Sequence, residues 1–142
     1  MQSPTLQPSF DAGARVQPAS ILPFVGRLGI AAIFVLSGVS KLTAPEANLA
    51  YIASVGLPFP QLALAGAILV EIVGGALLVL GYRTRLVAAV LALFTIATAI
   101  SFHANLADQN QFIHFFKNIA MAGGLAQVVA FGAGGFSLDT RR

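Results

Sequence analysis

A few polar side chains that could do chemistry interrupt long apolar runs in this sequence. Glu71 lies at the centre of one run, Arg27 lies inside an earlier one, Lys117 and Asn118 lie near the start of the last, and His103 directly follows the third. An ionised group in hydrocarbon costs several kcal/mol unless it is paired or hydrated, so such groups usually face one another inside a bundle. There they can join helices, move protons or bind a polar ligand.

The composition predicts an integral membrane protein. Of 142 residues, 57% are hydrophobic and 9% are charged, whereas about a quarter of the residues of a soluble domain are charged. The basic residues form no run with interleaved aromatic residues, so we expect the lipid bilayer, and not nucleic acid, as the partner. The absence of cysteine excludes disulfides and thiol chemistry on this chain, so electron chemistry would need a bound cofactor or another subunit.

The apolar runs predict an all-α membrane protein, an antiparallel four-helix transmembrane bundle, because about 20 apolar residues span the bilayer core. A short interfacial helix is predicted between spans 1 and 2, begun by a capping box of Thr43 and Glu46. We expect a flexible cytoplasmic tail at 1–20, a membrane domain at 21–131 and a second cytoplasmic tail at 132–142. The predicted spans are 21–42, 62–80, 86–102 and 112–131.

The basic residues near the span ends predict the orientation. With both termini inside, the cytoplasmic side carries five of them, against Lys41 and Lys117 outside, and cytoplasmic loops carry the excess of Lys and Arg. We therefore expect a multi-pass protein of the cell inner (plasma) membrane with both termini cytoplasmic. The five are Arg15, Arg83, Arg85, Arg141 and Arg142.

Counting residues from the cytoplasmic end of each span puts Arg27 about 9 Å deep and Glu71 about 13 to 14 Å deep. This predicts an Arg27–Glu71 ion pair; the alternative is that Arg27 reaches the headgroups and Glu71 is protonated. Lys117 could be a second partner of Glu71 or extend outward. His103 and His114 lie at similar depths, but each is at a span end, so a bis-His haem site is disfavoured.

Motifs for self-contained catalysis are missing. The patterns GxGxxG, GxxxxGK, HExxH and GxSxG are absent, as is a metal-binding cluster. Neither a hydrolase nor a nucleotide-dependent enzyme is indicated.

Six segments, taken in order, resemble the DoxX family of small four-span membrane proteins. The resemblance implies positions of interest at Arg27, Glu71, Lys117 and Asn118, without an agreed catalytic residue. Some members are membrane subunits of quinone-reducing sulfur oxidoreductases, and others accompany soluble enzymes of oxidant defence. The segments are GRLGIAAIFVLSGVSKL at 26–42, GLP at 56–58, EIVGGALLVLGYRTRLVA at 71–88, FH at 102–103, KNIAMAGG at 117–124 and FSLD at 136–139.

Three functions remain open at this point. In the first, the chain is a membrane subunit or partner of a redox system, at most part of a quinone-linked oxidoreductase, and its polar cluster binds a quinone or another lipophilic molecule. In the second it is a non-catalytic scaffold for another protein, and the polar cluster only stabilises the bundle. The third, a small-molecule transporter, lacks an inverted repeat and would need a homo-oligomer to form a pathway.

Overall fold

The computed structural model describes residues 21–141, and in this part of the chain every regular element is helical. The predicted tail at 1–20 lies outside the described residues. The described elements confirm the predicted all-α fold with four long helices and a short one between the first two. They are α1 at Ile21–Thr43, α2 at Pro45–Ser54, α3 at Pro60–Leu80, α4 at Thr84–Phe102, α5 at Gln109–Phe131 and a 3₁₀ turn at Asp139–Arg141.

The four long helices have the length and surface of membrane spans. They contain 19 to 23 residues, which corresponds to about 28 to 35 Å of helix. In the most apolar 18-residue stretch of each helix, only 22% of the residues of α1, α3 and α4 and 17% of those of α5 are buried inside the protein. Large apolar side chains therefore cover the outside of the bundle, and lipid is the solvent that suits them.

The bundle consists of two tightly packed helix pairs, α1 with α3 and α4 with α5, joined mainly through α3 and α4. Gly38 allows the closest approach of α1 to α3, because a Cβ atom there would lie 2.5 Å from Cγ1 of Ile72. A closed apolar core fills the half of the bundle where α3 ends, here called the tail end. Its buried residues are Ala31, Phe34, Leu78, Ala88, Leu91 and Leu125.

Residues 132–141 fold across the tail end and cap two helices. The backbone N–H groups of Leu138 and Asp139 donate to the carbonyls of Leu80 and Gly81, at 3.0 and 2.9 Å. The Asp139 carboxylate accepts bonds from the N–H groups of Arg83 and Thr84, at 2.7 and 2.8 Å. Asp139 therefore satisfies donors at the start of α4 that have no partner within the helix.

The short helix α2 covers the opposite end of the bundle, here called the α2 end. Its Tyr51 hydroxyl donates to the carbonyl of Phe102 at 3.3 Å and so links α2 to the end of α4. The predicted capping box is wrong: Thr43 is still part of α1 and bonds back to Ser40, and Ala44 precedes Pro45 at the helix start. Pro45 lacks an N–H, so this start needs one fewer capping acceptor.

Candidate functional site

A cavity of about 390 Å³ occupies the α2 end of the bundle, between the two helix pairs. Four of the residues singled out in the sequence line it, namely Glu71, His103, Lys117 and Asn118, whereas Arg27 does not. The cavity is partly open to the outside, and two of its lining residues, Ile33 and Tyr51, are 39% and 44% exposed. Its other lining residues include Phe34, Ser37, Lys41, Asn48, Ile52, Leu57, Ala63, Ala67, Phe94, Thr95, Ala97, Thr98, Ser101, Phe102 and Met121.

The partner of Glu71 is Lys41. The Lys41 ammonium lies 2.9 and 3.0 Å from the two carboxylate oxygens of Glu71, and it also donates to the Ser37 hydroxyl at 2.8 Å. The Ser37 hydroxyl lies 3.2 Å from Glu71 Oε1 and donates to it. These three side chains, called the ion-pair ring below, use all three ammonium protons of Lys41 within the ring.

The predicted Arg27–Glu71 ion pair is wrong because α1 and α3 do not end at the same level. Arg27 lies beside the end of α3 and donates to the carbonyls of Leu78 and Val79, at 2.7 and 3.1 Å, and to that of Phe136. The first turn of α1 therefore extends beyond the end of α3. Arg27 therefore lies at the tail end, away from Glu71, where its guanidinium donates to carbonyl groups at the C-terminus of α3.

Lys41 and Ser37 are the residues that the sequence argument missed. They are four residues apart on α1, so they share a helix face with Gly38 close beside it. Because Cβ atoms tilt towards the helix N-terminus, the Lys41 side chain extends back from its own level towards Glu71. The (i, i+4) spacing of Ser37 and Lys41 is the available signal, but the orientation argument counts Lys41 among the basic residues of the outer side.

The wall of the cavity opposite the ion-pair ring carries basic and amide groups. The Lys117 ammonium lies 3.0 Å from Nδ1 of His114, and the His114 ring stacks on His103 with centroids 5.1 Å apart and planes at 24°. His103 Nδ1 in turn lies 2.9 Å from the side-chain oxygen of Gln111. Stacked rings present their faces to each other, so these two histidines do not aim their nitrogens at one haem iron between them.

The amide and hydroxyl groups between these walls form only some of the hydrogen bonds that they could form. Asn118 makes one long contact, 3.4 Å from its amide nitrogen to the Thr98 hydroxyl. Thr95 and Thr98 donate to carbonyls of their own helix, at 2.7 and 2.9 Å, which satisfies their protons. Asn118 therefore retains hydrogen-bonding capacity towards the cavity.

The arrangement suits a molecule with a polar head and an apolar body. Aliphatic and aromatic side chains such as Ile33, Phe34, Phe94 and Met121 make up the apolar part of the lining. The volume lies within the range of about 300 to 1,000 Å³ that is typical of small-molecule sites, which are mostly apolar with a few placed polar groups. Within residues 21–141, no group of three or more His, Asp or Glu side chains could hold a metal ion.

Comparisons with known proteins give a consistent result. Residues 22–104 match the family described as DoxX. The chain is 33% identical to inner membrane protein YphA of Escherichia coli (strain K12) over 137 residues, covering 93% of this chain and 96% of that protein. It is also 33% identical to inner membrane protein YqjF of the same organism over 115 residues, covering 81% and 87%. No solved structure matches the chain significantly.

Proposed function

This chain belongs to the DoxX family, and on that premise we propose that it is a membrane subunit or partner of a redox system whose cavity binds a quinone or a similar lipophilic molecule. We place it in the inner membrane, as the names of its two relatives suggest, with both termini cytoplasmic. In this orientation the tail end, with Arg83, Arg85 and Arg141, faces the cytoplasm, as the excess of basic residues favours.

The cavity at the α2 end is the observation that carries this proposal. It offers donors towards one side, from Lys117 and Asn118, with His103 beside them, and apolar side chains elsewhere. A quinone has two carbonyl oxygens that accept hydrogen bonds and a ring and chain that are apolar. Its head would lie against these donors, and its chain would leave through the opening beside Ile33 or Tyr51, which are exposed.

The electrons for a quinone reaction would come from elsewhere. The chain contains no cysteine, so it offers no thiol or cysteine-ligated centre of its own. We therefore propose a redox protein as the partner of this subunit, with the cavity holding the quinone within the membrane.

Filling the cavity tests the proposal. Ala67 lines it one helical turn from Glu71, whereas Ala65 on the same helix is exposed on the outside of the bundle. We expect Ala67→Phe to weaken binding of a radiolabelled decyl-benzoquinone to protein in lipid nanodiscs at least about tenfold, which is about 1.4 kcal/mol. The matched control Ala65→Phe should bind as the wild type does. Equal binding by both variants, or no saturable binding by the wild type, would contradict the proposal.

A scaffold function is the second candidate, and the closed ion-pair ring favours it. Because Lys41, Glu71 and Ser37 satisfy one another, they could serve only to join α1 to α3. In that case Glu71→Gln lowers stability and abundance, while Ala67→Phe leaves the cellular activity of the protein intact. Loss of activity in a stable Ala67→Phe variant would reject the scaffold function.

A further inference from the structure

We propose that the cavity selects a ligand with an acidic, negatively charged head, and that Lys117 is its counter-ion. This inference rests on the proposed function, since it specifies the head group of the lipophilic ligand. A hydroxylated quinone, which ionises as a vinylogous acid near neutral pH, is the class that combines such a head with an apolar body.

The first step is the charge balance of the cavity lining. The lining residues include two lysines and one carboxylate, Lys41, Lys117 and Glu71. Lys41 and Glu71 neutralise each other at 2.9 Å, and the Glu71 side chain is 7% exposed. The cavity is therefore left with one positive charge that the ion-pair ring does not balance.

The second step is the environment of that remaining charge. Lys117 forms no ion pair in residues 21–141; its hydrogen bond is to the ring nitrogen of His114. A neutral imidazole nitrogen accepts one proton of the ammonium and supplies no counter-charge. Because the His114 ring is stacked on His103, a lining residue, this contact keeps the ammonium at the cavity wall.

The third step is the preference that this charge creates. The Lys117 side chain is exposed as well as lining the cavity, and beside apolar walls its ammonium attracts an anionic head more strongly than it would in bulk water. A neutral head leaves the charge unbalanced. The Asn118 amide lies on the same side of the cavity and can donate to a further oxygen of the same head.

The test compares two probes that differ in one ionisable group. The first is a 2-hydroxy-3-alkyl-1,4-naphthoquinone, which is anionic at neutral pH, and the second is its neutral 2-methoxy analogue. Binding is measured in nanodiscs of zwitterionic lipid, with empty nanodiscs subtracted. The wild type should bind the hydroxy probe at least about tenfold more tightly, which corresponds to about 1.4 kcal/mol.

Variants assign the preference to one side chain. Lys117→Gln should bind both probes equally, and Lys117→Arg should keep the preference because it keeps the charge. Arg141→Gln removes an exposed cation beyond the cavity and should behave as the wild type does, which excludes an effect of overall charge. Far-UV circular dichroism and thermal unfolding establish that each variant is folded.

The outcomes separate this inference from the proposed function. If the wild type binds both probes equally, the acidic-head inference is wrong although quinone binding stands. If neither probe binds, the proposed function fails as well. If the preference survives in Lys117→Gln, Lys117 is not the counter-ion. Should Lys117→Gln not fold, Lys117→Met, which also removes the charge, takes its place in the comparison.

Discussion

The ion-pair ring makes a quantitative prediction about the stability of the bundle. Replacing Lys41 by Met leaves the Glu71 carboxylate, which is 7% exposed, without its counter-ion. Two charges at 2.9 Å attract by about 6 kcal/mol at an effective dielectric constant of about 20, and breaking a buried pair typically costs about 3 to 5 kcal/mol. Because the Lys41 side chain is 22% exposed, we expect the lower end, about 3 kcal/mol.

The two single substitutions should differ. Glu71→Gln keeps a group that can accept the Ser37 proton, and the long Lys41 side chain can turn towards water, so we expect a loss of about 1 to 2 kcal/mol. The double variant Lys41→Met/Glu71→Gln should be about 2 kcal/mol more stable than the sum of the single losses predicts.

Unfolding in mixed micelles by increasing amounts of dodecyl sulfate gives the free energies. Far-UV circular dichroism is the suitable probe, because the chain contains no tryptophan. Lys117→Met is the matched control: it removes a cavity-lining ammonium with no carboxylate partner and should change stability by less than about 0.5 kcal/mol. Losses of Lys41→Met and Glu71→Gln that simply add in the double variant would refute the reasoning.

Three further positions test contacts that hold the helices and their connections in place. Asp139→Ala removes the cap of α4 and should cost about 1 to 2 kcal/mol in the same unfolding assay, while Asp139→Asn, which keeps an acceptor, should cost less; equal losses would argue against a capping role. Gly38→Val overpacks the contact of α1 with α3 and should cost about 1 to 3 kcal/mol, whereas Gly26→Val, with open space around it, should cost less than about 1 kcal/mol; similar costs would contradict the close approach. Tyr51→Phe should leave global stability within about 1 kcal/mol but speed hydrogen exchange of the α2 amides, because it loses the bond to Phe102; unchanged exchange would show that the bond does not hold α2.

The number of helices and several residues of the cavity follow from the sequence, whereas the pairing of charges does not. Apolar runs of membrane-spanning length predict four spans, and polar residues within them identify Glu71, Lys117 and Asn118 as neighbours of one site. The pairing depends on how far α1 is displaced along α3. Contacts such as that of Gly38 with Ile72 set this displacement, and no count of residues from a loop reveals it.

The role of the segment at 136–139 was also beyond sequence reasoning. Its resemblance to DoxX proteins is visible in the sequence. In the structure it forms hydrogen bonds with backbone groups at the end of α3 and the start of α4, more than 50 positions away. A helix cap is readable from sequence when it precedes its helix directly. Asp139 follows α5 in the sequence, more than 50 residues after the start of α4, so only the folded chain brings this cap to its helix.

The contact of Arg27 with Phe136 has a consequence for biosynthesis. The two residues are 109 positions apart, so during translation the first span enters the membrane long before the carbonyl that its guanidinium binds has been made. Until then the guanidinium can bind only the end of α3, water or lipid phosphate. The first span therefore reaches its final hydrogen-bonding state only after α5 has been inserted and residues 136–139 have folded back, which makes this contact one of the last to form on the nascent protein.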